Sequence, residues 1–367
     1  MPWNWTLPEW PKFSWNAEKL KHFEAIFLEN RGVIIGASQH LNHEDKQRVI
    51  IELMSIDALT TSEIEGEYLN RESIQSSIRR ALGLQTDRRS ANPTEAGVAE
   101  MLVNLYQKFN SPLSETILCD WHQMIMNGRR DVICIGMYRA HMDEMQIVSG
   151  PDYAPRVHFE APPADRISDE MERLLTWIQD SSSKGLNPLG AITRAGIAHL
   201  WFESIHPFED GNGRIGRAIS EKILAEGSEV PAMTGLSKEI LKRRREYYSA
   251  LANASHRLEI TDWLLWFAEL TLKSQKSTLD QIIFIIQKSR IMERVRGNIN
   301  LRQEKVLLRM FREGPEGFIG GMSASKYIRI TGASTPTATR DLNDLVEKKV
   351  LMKTGERKTT RYFLVLN

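Results

Sequence analysis

The segment His206-Pro-Phe-Glu-Asp-Gly-Asn-Gly-Arg-Ile-Gly-Arg217 places an imidazole, two carboxylates, three glycines and two guanidiniums within twelve residues. A core segment would not concentrate so many polar and flexible groups. Gly211-Asn-Gly213 can bend the backbone so that successive N–H groups converge on an anion. Arg214 and Arg217 stand three apart, so on a helix starting at this turn they share a face. A helix N-terminus with two arginines on one side is, in physical terms, a phosphate site. Beside that phosphate, His206 supplies a base and Asp210 a hard oxygen ligand for a cation. The chemistry these residues support is nucleotide handling.

The whole string resembles the signature of the Fic family, His-Pro-Phe-x-Asp/Glu-Gly-Asn-Gly-Arg-x-x-Arg, and matches it at every fixed position. The resemblance implies an enzyme that transfers AMP from ATP to a Ser, Thr or Tyr hydroxyl of a target protein or of itself, releasing pyrophosphate. In that scheme His206 takes the proton from the attacking hydroxyl, a task suited to a neutral imidazole. Asp210 holds Mg2+ (or Mn2+), which offsets charge developing on the phosphates. The amides of Gly211, Asn212 and Gly213 cradle phosphate oxygens, with Ile215 and Gly216 in the same nucleotide-binding turn. Arg214 contacts the α/β region and Arg217 the γ-phosphate. Phe208 buries its ring and fixes the loop. A homodimer is expected from the family alone.

Upstream, Thr61, Glu65 and Gly66 fit the pattern Ser/Thr-x-x-x-Glu-Gly/Asn, which resembles the inhibitory-helix motif of the same family. The physical logic is that a helix-borne carboxylate pairs bidentately with an arginine that would otherwise bind phosphate. So short a pattern recurs on solvated helix faces; the intact signature downstream favours the regulatory reading. Glu65 is expected to pair with Arg217 and deny the γ-phosphate its anchor. By positioning a water, Glu65 would instead favour removal of AMP from a modified target.

Composition narrows the setting. At 367 residues the chain has room for two or three domains and a sizeable core. Its 41% hydrophobic and 26% charged residues are ordinary for a soluble globular protein. A net charge of +1 argues against nucleic-acid binding along the whole chain and leaves room for a local patch. The two cysteines, Cys119 and Cys134, have no partners at metal-ligand spacing, so no disulfide framework is expected. The start, Met1-Pro-Trp-Asn-Trp, lacks a basic and apolar leader, and no apolar run approaches about 18 residues. Neither a signal peptide nor a membrane span is expected, and the expected location is cytoplasmic.

These residues need a scaffold, and the periodicities predict a mainly α one: a helical core with a small β-hairpin flap, an N-terminal helical domain and a C-terminal winged helix. Trp3, Trp5, Trp10 and Trp15, interrupted by Pro2, Pro8 and Pro11, predict an extended arm packed over a helical body. The alternative is a tryptophan-rich partner surface. Helical spacing covers 17–29, 40–59 and 68–82, followed by a loop at 85–93, then helices at 96–109, 114–126 and 165–179. Met145 to Pro163 predicts a β-hairpin around a Gly/Pro/Asp turn. In Fic proteins such a flap docks an extended target segment by strand addition. Ile147 and Val148 fall within it, Val148 beside the nucleotide.

Asn187 as cap and Pro188 at the first position start a helix expected to run to Ile205 and end on the signature loop. A second helix begins near Gly213, so the loop is clamped between two buried helices. His122 and His199 read as structural histidines. Tyr247 and Tyr248 close a basic run. They read either as tyrosines turned to the core or, by resemblance to other Fic chains, as an adenine pocket. Residues 260–270 are expected to form a buried helix and 279–295 a long amphipathic one.

Residues 301–367 carry 13 Lys and Arg against 7 Asp and Glu. Three helices and a hairpin with a basic tip resemble a winged helix, with Thr335, Thr337, Thr339 and Arg340 on or beside its groove-facing helix. Such a module binds DNA, or serves dimerisation or protein docking. The expected domains are 1–92, 93–296 and 297–367. An alternative function is a nucleotide-sensing transcription regulator that binds DNA through residues 297–367. Transfer of UMP, phosphocholine or phosphate also stays open, since a phosphate cradle does not read the base.

Overall fold

The computed structural model describes residues 2–39, 41–84, 92–141, 145–149, 156–228 and 234–366. These residues form a mainly α-helical fold with two small antiparallel hairpins. The chain divides into two compact units, one of residues 1–40 with 50–278 and one of residues 41–49 with 279–367. No helix among the described residues is long and apolar enough to cross a membrane.

The helices in chain order begin with α1 (Lys21–Gln39), α2 (His43–Ile64), α3 (Arg71–Ala81), α4 (Pro93–Gln107) and α5 (Glu115–Ile125). The first hairpin follows, β1 (Gln146–Ser149) and β2 (Arg156–Glu160), then α6 (Ile167–Asp180), α7 (Ala191–Ile205) and α8 (Asn212–Ala225). Next come α9 (Leu236–Lys242), α10 (Arg244–Ala254) and α11 (Thr261–Val295). The segments 260–270 and 279–295, read separately in the sequence, are thus one continuous helix. The loop expected at 85–93 lies largely outside the described residues, and so does the hairpin turn.

In the first unit α7 runs through the core. Ile192, Ile197, Leu200, Phe202 and Ile205 are all buried, and Thr193, Arg194 and His199 are buried with them. A helix covered on all sides belongs at the centre of its bundle. Ile215, Ile219 and Ile223 of α8 join the same core, as do Val98 and Leu102 of α4 and Trp121 and Ile125 of α5.

Local sequence misplaces the start of α7. It begins at Ala191, not at Asn187-Pro188, because its cap comes from α1. The Glu24 carboxylate accepts from the Ile192 N–H at 3.2 Å, and from the Thr193 N–H and Oγ1 at 2.8 Å each. A carboxylate on these first amides satisfies orphan donors and meets the positive end of the helix dipole.

The tryptophan arm packs against the helical body. Trp10 Nε1 donates to Glu170 Oε2 at 2.9 Å, Trp5 Nε1 to the Glu160 carbonyl at 2.7 Å, and Asn4 Nδ2 to Ser204 Oγ at 2.9 Å. Each indole thereby buries its body while keeping a partner for its N–H. In the hairpin, Gln146 faces Glu160 and Ile147 faces Phe159, with an irregularity between Ile147 and Val148.

The second unit adds α12 (Leu301–Phe311), α13 (Ala324–Thr331), α14 (Thr335–Glu347), β3 (Leu351–Thr354) and β4 (Arg361–Leu364). Asn300 and Gln303 form a reciprocal capping box at the start of α12. Val306, Leu307, Met310, Tyr327, Leu342 and Leu345 make its core. The buried Asp341 accepts from Tyr327 Oη at 2.8 Å and Arg302 Nε at 2.9 Å. Thr335, Thr339 and Arg340 are exposed on α14 and Thr337 is half-buried.

Candidate active site

The site is built where α7 ends and α8 begins. His206 terminates α7 in the left-handed region, φ 51° and ψ 60°. A non-glycine residue held there costs roughly 1–3 kcal/mol and persists only where its surroundings impose it. Arg139 helps to impose it: its N–H donates to the Pro207 carbonyl and its Nε to the His206 carbonyl, both at 2.9 Å. Its Nη2 donates to the Pro162 carbonyl at 2.6 Å. Phe208 is fully buried and stacks on His122 at 4.2 Å between centroids. Asn212 closes the loop, accepting from the Phe208 N–H at 3.0 Å and donating back to the Phe208 carbonyl at 2.7 Å. Its side chain is thereby structural.

Gly211 begins α8 at φ 80°, and no side chain caps this helix. The first-turn amides are therefore open to an anion. The group beside them is Glu65. A Cβ at Gly213 would lie 2.4 Å from Glu65 Oε1, so the carboxylate rests directly on bare backbone.

Glu65 comes from the end of α2. The Glu65 N–H and the Glu67 N–H both donate to the Ser62 carbonyl at 3.0 Å, with Gly66 at φ 85° between them. This helix end presents two carboxylates to α8. Glu65 Oε1 lies 2.7 Å from Arg217 Nη2, and Glu67 Oε2 lies 2.7 Å from Arg214 Nη1. The bidentate pairing expected of Glu65 is not what forms, since only Oε1 touches the guanidinium. Thr61 takes further donors: Oγ1 accepts from Arg217 Nε at 2.8 Å and its carbonyl from Nη2 at 3.0 Å, which leaves the buried Nη1 without a hydrogen-bond partner. Sharing the fork between a hydroxyl, a carbonyl and a carboxylate satisfies more of it than a carboxylate alone.

Asp210 is also engaged. Its Oδ2 pairs with Arg129 Nη1 at 2.8 Å and its Oδ1 accepts from the Gly211 N–H at 2.5 Å. A partly exposed carboxylate next to a phosphate cradle suits a hard divalent cation such as Mg2+ or Mn2+. The partner Asp210 has here is itself a cation.

Burial sets the protonation states. It pushes His206 down to about 4, with the Arg139 charge adding to the effect, so the imidazole is neutral at physiological pH. Burial pushes the Glu203 carboxyl up to about 8. For Arg217 burial is the largest single influence and works against the charge, but the Glu65 carboxylate together with Tyr247 and Tyr248 outweighs it, holding the guanidinium above its usual range.

Other sequence-predicted residues fall as follows. Ile215 is fully buried in the core, and Gly216 packs against Glu203, His199 and Phe202, so neither offers a side chain to the anion site. Tyr247 is buried with its hydroxyl 2.8 Å from His199 Nε2, whereas Tyr248 is 42% exposed beneath the Arg244 guanidinium. Both tyrosines lie close enough to Arg217 and Glu65 to feel their charges. His199 is a core histidine, also 3.0 Å from Ser220 Oγ through Nδ1. His122 accepts the Gly136 N–H at 2.9 Å. Val148 pairs with Val157 in the hairpin, and its side chain lies outside the described residues.

Sequence reasoning missed Glu67, Arg129, Arg139 and Glu203. Glu67 had a signal, being a second acid two residues past Glu65; the others had none. It also missed that Cys134, His141 and Glu209 bring one ligand atom each within 4.8 Å of one another. Glu209 pairs with His141 and accepts the Ile133 and Cys134 amides at 2.7 and 3.2 Å, which ties residues 133–141 to the signature loop.

Residues 112–224 match the Fic/DOC family, and residues 3–84 match a domain of unknown function (DUF4172). Over 96 residues the chain is 31% identical to a probable protein adenylyltransferase, aq_aa38, of Aquifex aeolicus, covering 26% of each protein. Over 157 residues it is 24% identical to the protein adenylyltransferase fic-1 of Caenorhabditis elegans, covering 43% of this chain and 27% of that one. The chain thus spans about a quarter of the length of these relatives. Its structure is similar to that of a Fic family protein from Desulfovibrio desulfuricans G20, with a TM-score of 0.52 at 23% identity, covering 94% of this chain and 96% of that one. It is also similar to a Fic domain containing signaling protein from Bacteroides thetaiotaomicron VPI-5482, with a TM-score of 0.51 at 17% identity, covering 70% and 96%. At these identities the structural likeness speaks to the fold alone.

Proposed function

Because this chain carries a Fic domain over residues 112–224, we propose that it is a protein adenylyltransferase and that the described conformation is its inhibited form. The observation that carries the reading is a buried, neutral imidazole at the mouth of an uncapped helix N-terminus that bears two buried arginines. Relatives named protein adenylyltransferase support the same reaction.

In the reaction, His206 takes the proton of a Ser, Thr or Tyr hydroxyl on the target. The hydroxyl oxygen bonds to the α-phosphorus of ATP, the bond from that phosphorus to the bridging oxygen breaks, and pyrophosphate leaves with the electron pair. The amides of Asn212 and Gly213, that of Gly211 once Asp210 releases it, and the guanidiniums of Arg214 and Arg217 receive the phosphate charge. Asp210 would hold Mg2+ or Mn2+, which supplies further charge neutralisation when bound. Tyr248, partly exposed near Arg217, is the tyrosine that offers a wall to the nucleotide, with Tyr247 buried on His199 behind it.

The brake follows from occupancy. The Glu65 carboxylate lies where an anion would meet Gly213, and it already holds Arg217. ATP binds productively only when this carboxylate leaves. Mass spectrometry of the protein after incubation with ATP and Mg2+ tests the proposal, comparing wild type with Glu65→Gly. A mass increase of one AMP, stronger in the variant, is expected. Label carried over from γ-labelled rather than α-labelled ATP would replace AMP transfer with phosphate transfer.

A further inference from the structure

We infer that Glu203 is a positioning residue for His206, accepting the imidazole Nδ1–H so that Nε2 remains the atom that takes the proton. The inference rests on the AMP-transfer reading of the site.

A neutral imidazole carries one N–H, and the nitrogen without it is the base. Something must therefore select the tautomer. His206 has a side chain only 11% exposed, and its Nδ1 is buried with no hydrogen-bond partner. Facing it from the preceding turn of α7 is Glu203 Oε2, 3.9 Å away. That distance is too long for a hydrogen bond, so the bond forms only when the carboxyl turns toward the ring. The backbone carbonyl of Glu203, which also acts on the imidazole, is the competing acceptor. The other oxygen, Glu203 Oε1, is likewise buried with no partner. His206 Nδ1 and one oxygen of the same neighbouring carboxyl are thus both left unpaired, and each costs free energy until it is paired.

The fold makes room for this carboxyl. A Cβ at Gly216 would lie 2.5 Å from Glu203 Oε1, and 3.3 Å from both His199 Cε1 and Phe202 Cδ1. The absence of a side chain at 216 is thus what seats the glutamate between α7 and α8. Arg139, the other charged group that contacts His206, cannot do the same work. It has no acceptor, and it donates to the carbonyls of His206 and Pro162. Burial raises Glu203 to about 8. A protonated carboxyl still offers its carbonyl oxygen, so Nδ1–H finds an acceptor in either charge state. When Nε2 takes the hydroxyl proton, the resulting imidazolium keeps its Nδ1–H on this oxygen.

The test uses the full chain labelled with 15N-histidine, with the His206 signals assigned by their loss in His206→Ala. The wild type is expected to hold His206 as the Nδ1–H tautomer. Glu203→Leu, which removes the acceptor, should give a mixture or the Nε2–H form. In a Glu65→Gly background it should also lower kcat for AMP transfer about 10- to 100-fold, the scale of losing a group that orients a catalytic histidine, with KM for ATP within about twofold. Glu203→Gln keeps an acceptor oxygen and should restore both the tautomer and most of the rate. It also serves as the readout should the leucine variant not fold. An Nε2–H tautomer in the wild type, or an unchanged tautomer in Glu203→Leu, overturns the inference. Tautomer changes without AMP transfer in any variant would uphold it and discard the reaction assigned to the site.

Discussion

Glu67 Oε2 lies 2.7 Å from Arg214 Nη1, and two residues earlier Glu65 Oε1 lies at the same distance from Arg217 Nη2. One helix end thus holds both arginines of the signature loop. Arg214 and Arg217 are 1% and 2% exposed, so each needs an anion beside it, carboxylate or phosphate. Glu65→Gly should raise AMP incorporation from α-labelled ATP about 10- to 100-fold, since a hydrogen bond to a charged group contributes roughly 1.5–3 kcal/mol. Equal incorporation by wild type and variant would remove Glu65 from the regulation.

The second contact should matter on top of the first. Combining Glu67→Gln with Glu65→Gly frees Arg214 as well as Arg217. The double variant should show a KM for ATP about three- to tenfold below that of Glu65→Gly, a pair worth roughly 1 kcal/mol. Steady-state kinetics at varied ATP decides it. An unchanged KM would leave Glu67 as a surface partner of no consequence.

Arg129 stands against Asp210 as a cation already in place. Removing it should tighten divalent binding, about two- to fivefold for a partly exposed pair. Mn2+ titration followed by electron paramagnetic resonance reads this directly, without turnover. Arg129→Gln is expected to bind more tightly than wild type, and Asp210→Asn more weakly. Weaker binding by Arg129→Gln would mean that the guanidinium supports the site instead of competing for it.

His206→Ala should abolish transfer while ATP binding, measured by calorimetry in the Glu65→Gly background, stays within about threefold. General base catalysis contributes about 10²- to 10⁴-fold, so residual activity should lie at least about 100-fold down. Loss of ATP binding together with activity would assign the histidine to loop structure.

Three histidines tie stability to pH. His122, His199 and His206 are each held down to about 4, with burial the main cause in every case. Their native values lie below the unfolded 6.5, so as pH falls from 6.5 toward 4 the unfolded chain binds protons that the native chain refuses. Stability is therefore lost as pH drops through this window, and above it these groups contribute no pH dependence. Urea midpoints should fall steadily between those values, and His199→Gln should flatten the slope. A midpoint that is level across the window would show the three are protonated in the native state.

Much of the fold and the central loop was legible because the information is local. The signature places imidazole, carboxylate, glycines and arginines within three turns' reach, and the Thr61–Glu65 spacing is that of one helix face. What could not be read is what the fold brings from afar. Glu24 caps α7 from another helix, which moved the helix start from Pro188 to Ala191. Arg129 meets Asp210 from the turn after α5, and nothing near either residue signals the other. The sequence left Tyr247 and Tyr248 with two readings because successive residues on a helix point about 100° apart, so one can reach the core while its neighbour does not. One turns to the core and the other to solvent.

The cap that Glu24 places on α7 has a consequence for recombination. Residues 3–84 and 112–224 match two separate families, yet the helix that delivers His206 starts on a carboxylate from the first and ends in the second. Asn4 on Ser204 and Trp10 on Glu170 repeat the pattern. Exchange of either segment by recombination would strip buried partners from the other. Substitutions at Glu24 and Thr193, or at Trp10 and Glu170, should therefore be accepted in pairs.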